Sequence, residues 1–255
     1  KGTTMESIDA ATKNIQECTT AFTAAQPKYQ ALVDAKSLEQ AKLAYASEEK
    51  YTKFTASKEV TPTTAADAEA KANAIIAARR AYVESNGKAE GVKGAVDCTE
   101  KVVNPNFANQ KEGWKESQDA NGAAKIDETW TNADGTKGSN YYDYYNGSAN
   151  NQRVSQTISG LVAGRYIVTV KARAQQGFWM YLRINDNDKN ATDINEIGNT
   201  GGVFDRGWND YTAEFTVGAD GKVKIEVGNY KPGGVDNKAG WFGFGDVRLV
   251  RLSEA

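Results

Sequence analysis

Residues 154–174 read "VSQTISGLVAGRYIVTVKARA". From Gly164 onward the apolar residues alternate. Tyr166, Val168, Val170 and Ala172 fall on one parity, and Ile167, Thr169, Lys171 and Arg173 on the other. A period of two over that length specifies a strand with one face turned to a core. "DYTAEFTV" (210–217), "GKVKIEVGNY" (221–230) and "GFGDVRLVRL" (243–252) read the same way, with "GADG" (218–221) as the turn between two of them. Many strands, regular turns and no long helix predict an antiparallel two-sheet β-sandwich or jelly roll over residues 102–255.

Toward the N-terminus the composition changes. Residues 1–99 hold four glycines, no tryptophan and abundant alanine, and the other 20 glycines and all five tryptophans follow. That change predicts a multidomain α plus β chain: an antiparallel helical bundle over 1–90, a linker over 91–101, then the sandwich. Met5, Ile8, Ile15 and Phe22, with Thr12 and Cys18 between, mark a helical seam close to seven-residue spacing. Pro27 is expected to end or restart that helix, and "SLEQ" (37–40) has the form of a capping box opening the next. "VTPTTAAD" (60–67) is a break with Thr64 as the cap, and the last helix runs to "SNG" (85–87). Glycines at 87, 91 and 94 make the following segment a poor helix.

Lys and Arg number 31 against 33 Asp and Glu, for a net charge of −2, and no basic stripe stands out. Nucleic acid and anionic membrane are therefore poor partners. The chain has no histidine, which removes the commonest general base and the commonest transition-metal ligand. Cys18 and Cys98 lie far apart, form no CxxC motif, and read either as one structural disulfide or as two free thiols. No apolar run reaches membrane-spanning length. The carboxylates are scattered, and the sequence cannot place any two at the separation that glycoside hydrolysis needs. No enzyme is expected.

Four stretches occur in a telling order: "NPNFANQKEGW" (104–114), residues 154–174 above, "GWNDYTAEFTV" (207–217) and "GWFGFGDVRL" (240–249). Their order resembles that of jelly-roll carbohydrate-binding modules of the galactose-binding-like superfamily, over roughly residues 102–252. "AYVESN" (81–86) at the end of the helical half is similar to small helical modules that precede such domains in glycan-foraging surface proteins of gut bacteria. The resemblance implies non-catalytic binding of a polysaccharide or glycan by a secreted or cell-surface protein. It also implies a location that is extracellular, at the bacterial surface or periplasmic, with anchoring through a removed N-terminal lipid signal as an expectation. The alternatives are a structural or adhesive protein whose sandwich contacts protein, and an accessory fragment of a larger glycoside hydrolase. The family commonly has two consecutive acids in the closing strand, one helping to hold a structural calcium. Gly245-Asp246 stands there instead, so calcium is left open, with Asp246 and either Asn104 or backbone carbonyls as its ligands.

Candidate contacts follow from surplus aromatics. In "QQGFWMYLRIND" (175–186), Phe178, Met180, Leu182 and Ile184 suffice for a core face. Trp179, Tyr181, Arg183 and Asn185 then form a second face, where rings stack on sugar C–H patches and polar groups meet hydroxyls, unless the helical half or a loop covers it. Outward parity on the neighbouring strand adds Arg173. "SNYYDYYNGSANNQR" (139–153) offers Tyr142 as a loop contact. It reads equally as a strand with Tyr142 and Tyr144 on one face and Tyr141 and Tyr145 on the other. Trp130 and Trp241, in glycine- and asparagine-rich surroundings, complete the set, whereas Trp114 and Trp208 are expected in the core. "DNDKNATDINE" (186–196) fails as a calcium loop, with Ala191 where glycine is needed and Ile197 where glutamate is needed.

Overall fold

The structure, a computed structural model, describes residues 4–117, 123–127, 138–147, 152–175, 180–187, 192–193, 199–200, 203–204, 208–229 and 240–254. Two compact units divide the chain: Lys1–Lys42 with Glu48–Tyr82, and Leu43–Ser47 with Val83–Ala255.

Three helices come first: α1 (Met5–Ser37), α2 (Glu48–Ser57) and α3 (Ala65–Gly87). The core of the first unit joins Leu32 and Ala35 of α1, Phe54 of α2, and Ala68, Ala72 and Ile75 of α3. Thr64 caps α3 as its position implies, its hydroxyl accepting the Asp67 N–H at 3.1 Å. Two expectations are corrected. Pro27 lies inside α1, on its exposed side, where the Thr23 carbonyl left without a donor faces water. "SLEQ" opens no helix, because Ser37 Oγ donates backward to the Asp34 carbonyl at 2.7 Å and the Leu38 N–H returns to the Ala35 carbonyl at 3.2 Å. These bonds close α1 and leave no cap for a new start.

The second unit carries two antiparallel sheets. The first is ordered β11 (Asn209–Val217), β6 (Gly164–Ala174), β13 (Gly240–Glu254), β4 (Tyr141–Asn146) and β3 (Ala123–Asp127), with β1 (Val96–Asp97) pairing β13 as well. The second is ordered β2 (Lys115–Ser117), β5 (Arg153–Ile158), β12 (Val223–Gly228), β7 (Tyr181–Ile184) and β8 (Thr192–Asp193). A short pair, β9 (Asn199–Thr200) with β10 (Val203–Phe204), is separate. Both sheets contribute to one hydrophobic core: Tyr142, Tyr144, Val168, Val170, Phe242 and Phe244 from the first, and Val154, Leu182, Ile184, Ile225 and Val227 from the second. The parity read at 166–172 is the parity that faces it. Trp114 is buried as expected, its ring 5.4 Å from Phe107 and 5.7 Å from Phe244, with its N–H donated to the Asn104 carbonyl at 3.2 Å.

β13 bends midway. Its residues 240–245 pair with β4, whereas Val250 and Arg251 pair with β1, and a register shift between Gly245 and Arg248 separates the two. Val96–Asp97 thus lies in a sheet, inside the span read from sequence as a linker. Ala89 is fully buried in a small cluster with Ile167, Val250 and Leu252, flanked by Tyr45, Val92 and Ala95. Tyr45 donates its hydroxyl to Glu214, which also pairs with Arg165. One half of the first sheet's outer face is therefore covered by residues 43–47 and 83–95 of the same unit. The site lies on the other half.

Candidate functional site

Strand pleating decides what that other half presents. Tyr142, Tyr144, Phe242, Phe244, Ala172 and Ala174 point to the core, so the intervening residues share the outer face. Register places them in rows. Asp143 is opposite Gly243, Gly243 is opposite Arg173, and Lys125 is opposite Asp143. Tyr145 is opposite Trp241 in the next row, and Tyr141, Gly245, Lys171 and Asp210 form the row on the other side.

Gly243 is the centre of this grid. A methyl group placed on it would lie 2.9 Å from Trp208 Cη2, 3.0 Å from Tyr141 Cδ2 and 3.1 Å from Trp241 Cζ2. Three ring edges, from β4, from β13 and from just before β11, converge on this glycine. The Tyr141 and Trp208 centroids are 4.7 Å apart and those of Trp208 and Trp241 6.1 Å, both pairs edge-to-face. Such contacts favour a fixed arrangement of the rings. The Trp241 indole N–H donates to Asp143, whose other carboxylate oxygen lies 3.5 Å from Lys125 Nζ. Beneath one side of the cluster, Lys171 Nζ meets Asp210 Oδ1 at 2.9 Å with both side chains more than nine-tenths buried. The result is a half-buried aromatic platform edged by a carboxylate and cations.

The eight residues singled out from sequence do not converge. Trp241 and Arg173 belong to this face. Trp130 and Trp179 lie outside the described residues. Tyr142 is on the core side, wholly buried: its hydroxyl donates to Glu116 at 2.6 Å and accepts from Gln152 Nε2 at 2.6 Å. The strand reading of 139–146 is the one that holds, and Tyr141 and Tyr145 are its outward members.

Tyr181, Arg183 and Asn185 belong to the second sheet. The open second face expected there is corrected for two of them, since Tyr181 and Arg183 are only 2% and 6% exposed. Tyr181 lies over Gly228, where a methyl group would meet its hydroxyl at 2.9 Å, and donates to Glu226 Oε1 at 2.7 Å. Arg183 pairs with the same Glu226 and sits 5.2 Å from the Tyr181 ring centre. Burial, and then Glu226, push the Tyr181 hydroxyl well above the usual phenol range. These polar groups pair with one another within the sheet. Asn185 is exposed, its side-chain oxygen accepting the Lys224 N–H at 2.8 Å.

Sequence reasoning missed Trp208, which is half-buried on the platform rather than in the core. It also passed over Gly243. The available signal was "GWFGFG" itself, in which glycine occupies the outward parity at 243 and 245, next to phenylalanines that fill the core. The calcium ligands do not fit an ion. Asp246 is paired with Arg248, and Asn104 spends its side chain on its own loop, donating to the Gln110 carbonyl at 2.9 Å and accepting the Asn109 N–H at 3.0 Å. Cys18 and Cys98 are free thiols. Among the described residues no helix is long and apolar enough to cross a membrane.

No family model matches this chain, and no curated protein does. Solved structures that the chain matches include TmCBM61 in complex with β-1,4-galactotriose, at 21% identity and a TM-score of 0.44, spanning 59% of this chain and 97% of that one. A CBM4 structure matches at 16% identity with a TM-score of 0.33, over 65% of this chain and 97% of that one. The CBM22-1 xylan-binding domain of Paenibacillus barcinonensis Xyn10C matches at 11% identity with a TM-score of 0.33, over 56% and 88%. All three are carbohydrate-binding modules.

Proposed function

We propose that the second unit binds carbohydrate without catalysis, on the open half of its first sheet, as part of a secreted or cell-surface protein. The observation that carries this reading is the convergence of Tyr141, Trp208 and Trp241 on Gly243, beside Asp143. Sugar rings present C–H patches that stack on aromatic rings, and hydroxyls that bond to carboxylate and guanidinium groups. Asp143 accepts from Trp241 and so holds the indole, while its second oxygen and Arg173 serve hydroxyls at either side. Two ion pairs, Lys125 with Asp143 and Lys171 with Asp210, offset charge on this face, which suits a neutral glycan. Each carboxylate is committed to a lysine, an arrangement that orients hydroxyls rather than donating a proton to a leaving group.

Trp130 and Trp179 remain further ring contacts in this proposal, and the helical unit serves as a spacer or docking module. A glycan array probed with the whole chain, followed by calorimetry on the hits, tests the reading. Binding to a neutral polysaccharide supports it. Silence on every glycan, with capture of a protein partner at the same face, would favour the structural or adhesive role instead.

A further inference from the structure

We infer that α1 is a dimerisation helix, and that its exposed apolar stripe is covered by a second copy of this chain. The inference is independent of the carbohydrate reading, since no residue of the platform takes part.

α1 is 33 residues long, about 50 Å of helix, yet its share of the unit's core is confined to its last turns, at Leu32 and Ala35. Residues 4–24 are exposed without exception. A helix of that length with no packed face is marginal in water, because most helical stability in proteins comes from burying one side. The exposed side is built to be buried. Ile8, Ile15, Phe22 and Tyr29 recur at intervals of seven, with Met5 and Val33 on the adjoining row, and these six are between 41% and 72% exposed. That is the two-row pattern of a coiled-coil seam.

The row shared by Met5 and Val33 also contains Thr12, Thr19 and Gln26, which the sequence alone would score against burial. For the two threonines the structure removes the objection. Thr12 Oγ1 donates to the Ile8 carbonyl at 2.9 Å, and Thr19 Oγ1 donates to the Ile15 carbonyl at 2.8 Å. With each hydroxyl satisfied on its own helix, the face it shares with the isoleucines is left to its methyl group, and the seam can close over Thr12 and Thr19 without stranding a donor. Gln26 is the one amide on this row, and a single polar residue in a coiled-coil seam fixes register at some cost in stability.

Two features select a second copy as the occupant. The stripe amounts to several hundred Å² of apolar surface per chain, more than monomers usually leave in one patch and on the order of the ~800 Å² each partner gives to a standard interface. The positions bordering the seam carry a single charge, Asp9, among Gln16, Thr23, Gln30, Ala11 and Cys18, so two identical helices approach without like-charge repulsion. Cys18 is an exposed free thiol beside the seam. Near the middle of the seam, it comes close to its counterpart in a symmetric pair.

Sedimentation equilibrium on the whole chain tests this, with Ile15→Glu as the variant. Ile15 is outside the core of its unit, so circular dichroism of the variant is expected to retain the folded signal. The parent should be dimeric at micromolar concentration, and the variant, forced to bury an unpaired charge, should dissociate at roughly a hundredfold higher concentration or more. In a Cys98→Ser background, a short bismaleimide should link the parent through Cys18 and fail to link Ile15→Glu. A parent that stays monomeric into the high micromolar range overturns the inference. A dimer that Ile15→Glu leaves intact overturns it equally, since the contact then lies elsewhere.

Discussion

Gly243→Ala is the smallest change that interrogates the platform. Gly243 is held between Asp143 on β4 and Arg173 on β6, so an added methyl group cannot retreat into the sheet. It would stand 2.9–3.1 Å from three ring atoms, whereas carbon atoms in contact prefer about 3.5–4.0 Å. At least one ring must therefore move by roughly half an ångström or more. Overpacking of this kind costs about 1–3 kcal/mol, offset by about 0.5–1 kcal/mol because alanine loses less backbone freedom than glycine in a strand. A net cost of about 1–2 kcal/mol should lower the melting temperature by a few degrees, at about 2–4 °C per kcal/mol for a unit of this size. Binding should suffer more than stability. One displaced ring forfeits a stacking contact worth on the order of 1–3 kcal/mol, which is about tenfold in affinity or more. The assay pairs calorimetry on the glycan with near-ultraviolet circular dichroism, which reports the coupling of Trp208 and Trp241. An unchanged aromatic spectrum with unchanged affinity would refute the reasoning.

Adjacent tyrosines should behave oppositely: Tyr142→Ala should destabilise the second unit by about 3–5 kcal/mol, as core aromatics do, whereas Tyr141→Ala should cost affinity at little cost in melting temperature. Denaturant titration beside calorimetry separates them, and equal effects on both readouts would mean the face assignment is wrong. Arg183→Ala removes one of the two cations that pair with buried Glu226, leaving Lys224 at 3.2 Å, and should cost about 1.5–3 kcal/mol in a melting experiment, with glycan affinity unaltered. Alkaline titration supplies a pH test. Burial raises the Tyr142 and Tyr181 hydroxyls above the unfolded value of 10.0, so the native state keeps protons that the unfolded state sheds. Their contribution is full below pH 10 and lost above it, at up to about 1.4 kcal/mol per pH unit for each. Denaturation midpoints that stay flat above pH 10 would contradict their burial.

The strands were legible where a single alternation met a single core, as at Tyr166, Val168, Val170 and Ala172. Helix ends were legible where the capping side chain had one use, as at Thr64, and were misread where it had two: Ser37 bonds backward rather than forward. The second face of β7 was seen as surplus to the core, but parity cannot say what covers a face. Tyr181 and Arg183 are spent on Glu226, a partner 45 and 43 residues away in sequence that only strand pairing reveals. Arg173 was placed on the outer face by the parity of its strand, and Trp241 was singled out for its glycine- and asparagine-rich surroundings although it lies within β13. Gly243 was missed because its contribution is an absent side chain, and Trp208 because a tryptophan just before a strand looks like core. The platform depends on three segments, near 141, 208 and 241, meeting across the sheet, and no local pattern encodes that meeting.

The most direct test of the carbohydrate reading is calorimetric titration of the whole chain and of Trp241→Ala with a glycan that the array selects. Trp241 is one wall of the ring cluster and is held by Asp143, outside the hydrophobic core. The account predicts that the parent binds with saturating heat, and that Trp241→Ala weakens binding by about tenfold or more while melting near the parent temperature. A variant that binds the glycan as tightly as the parent would contradict it.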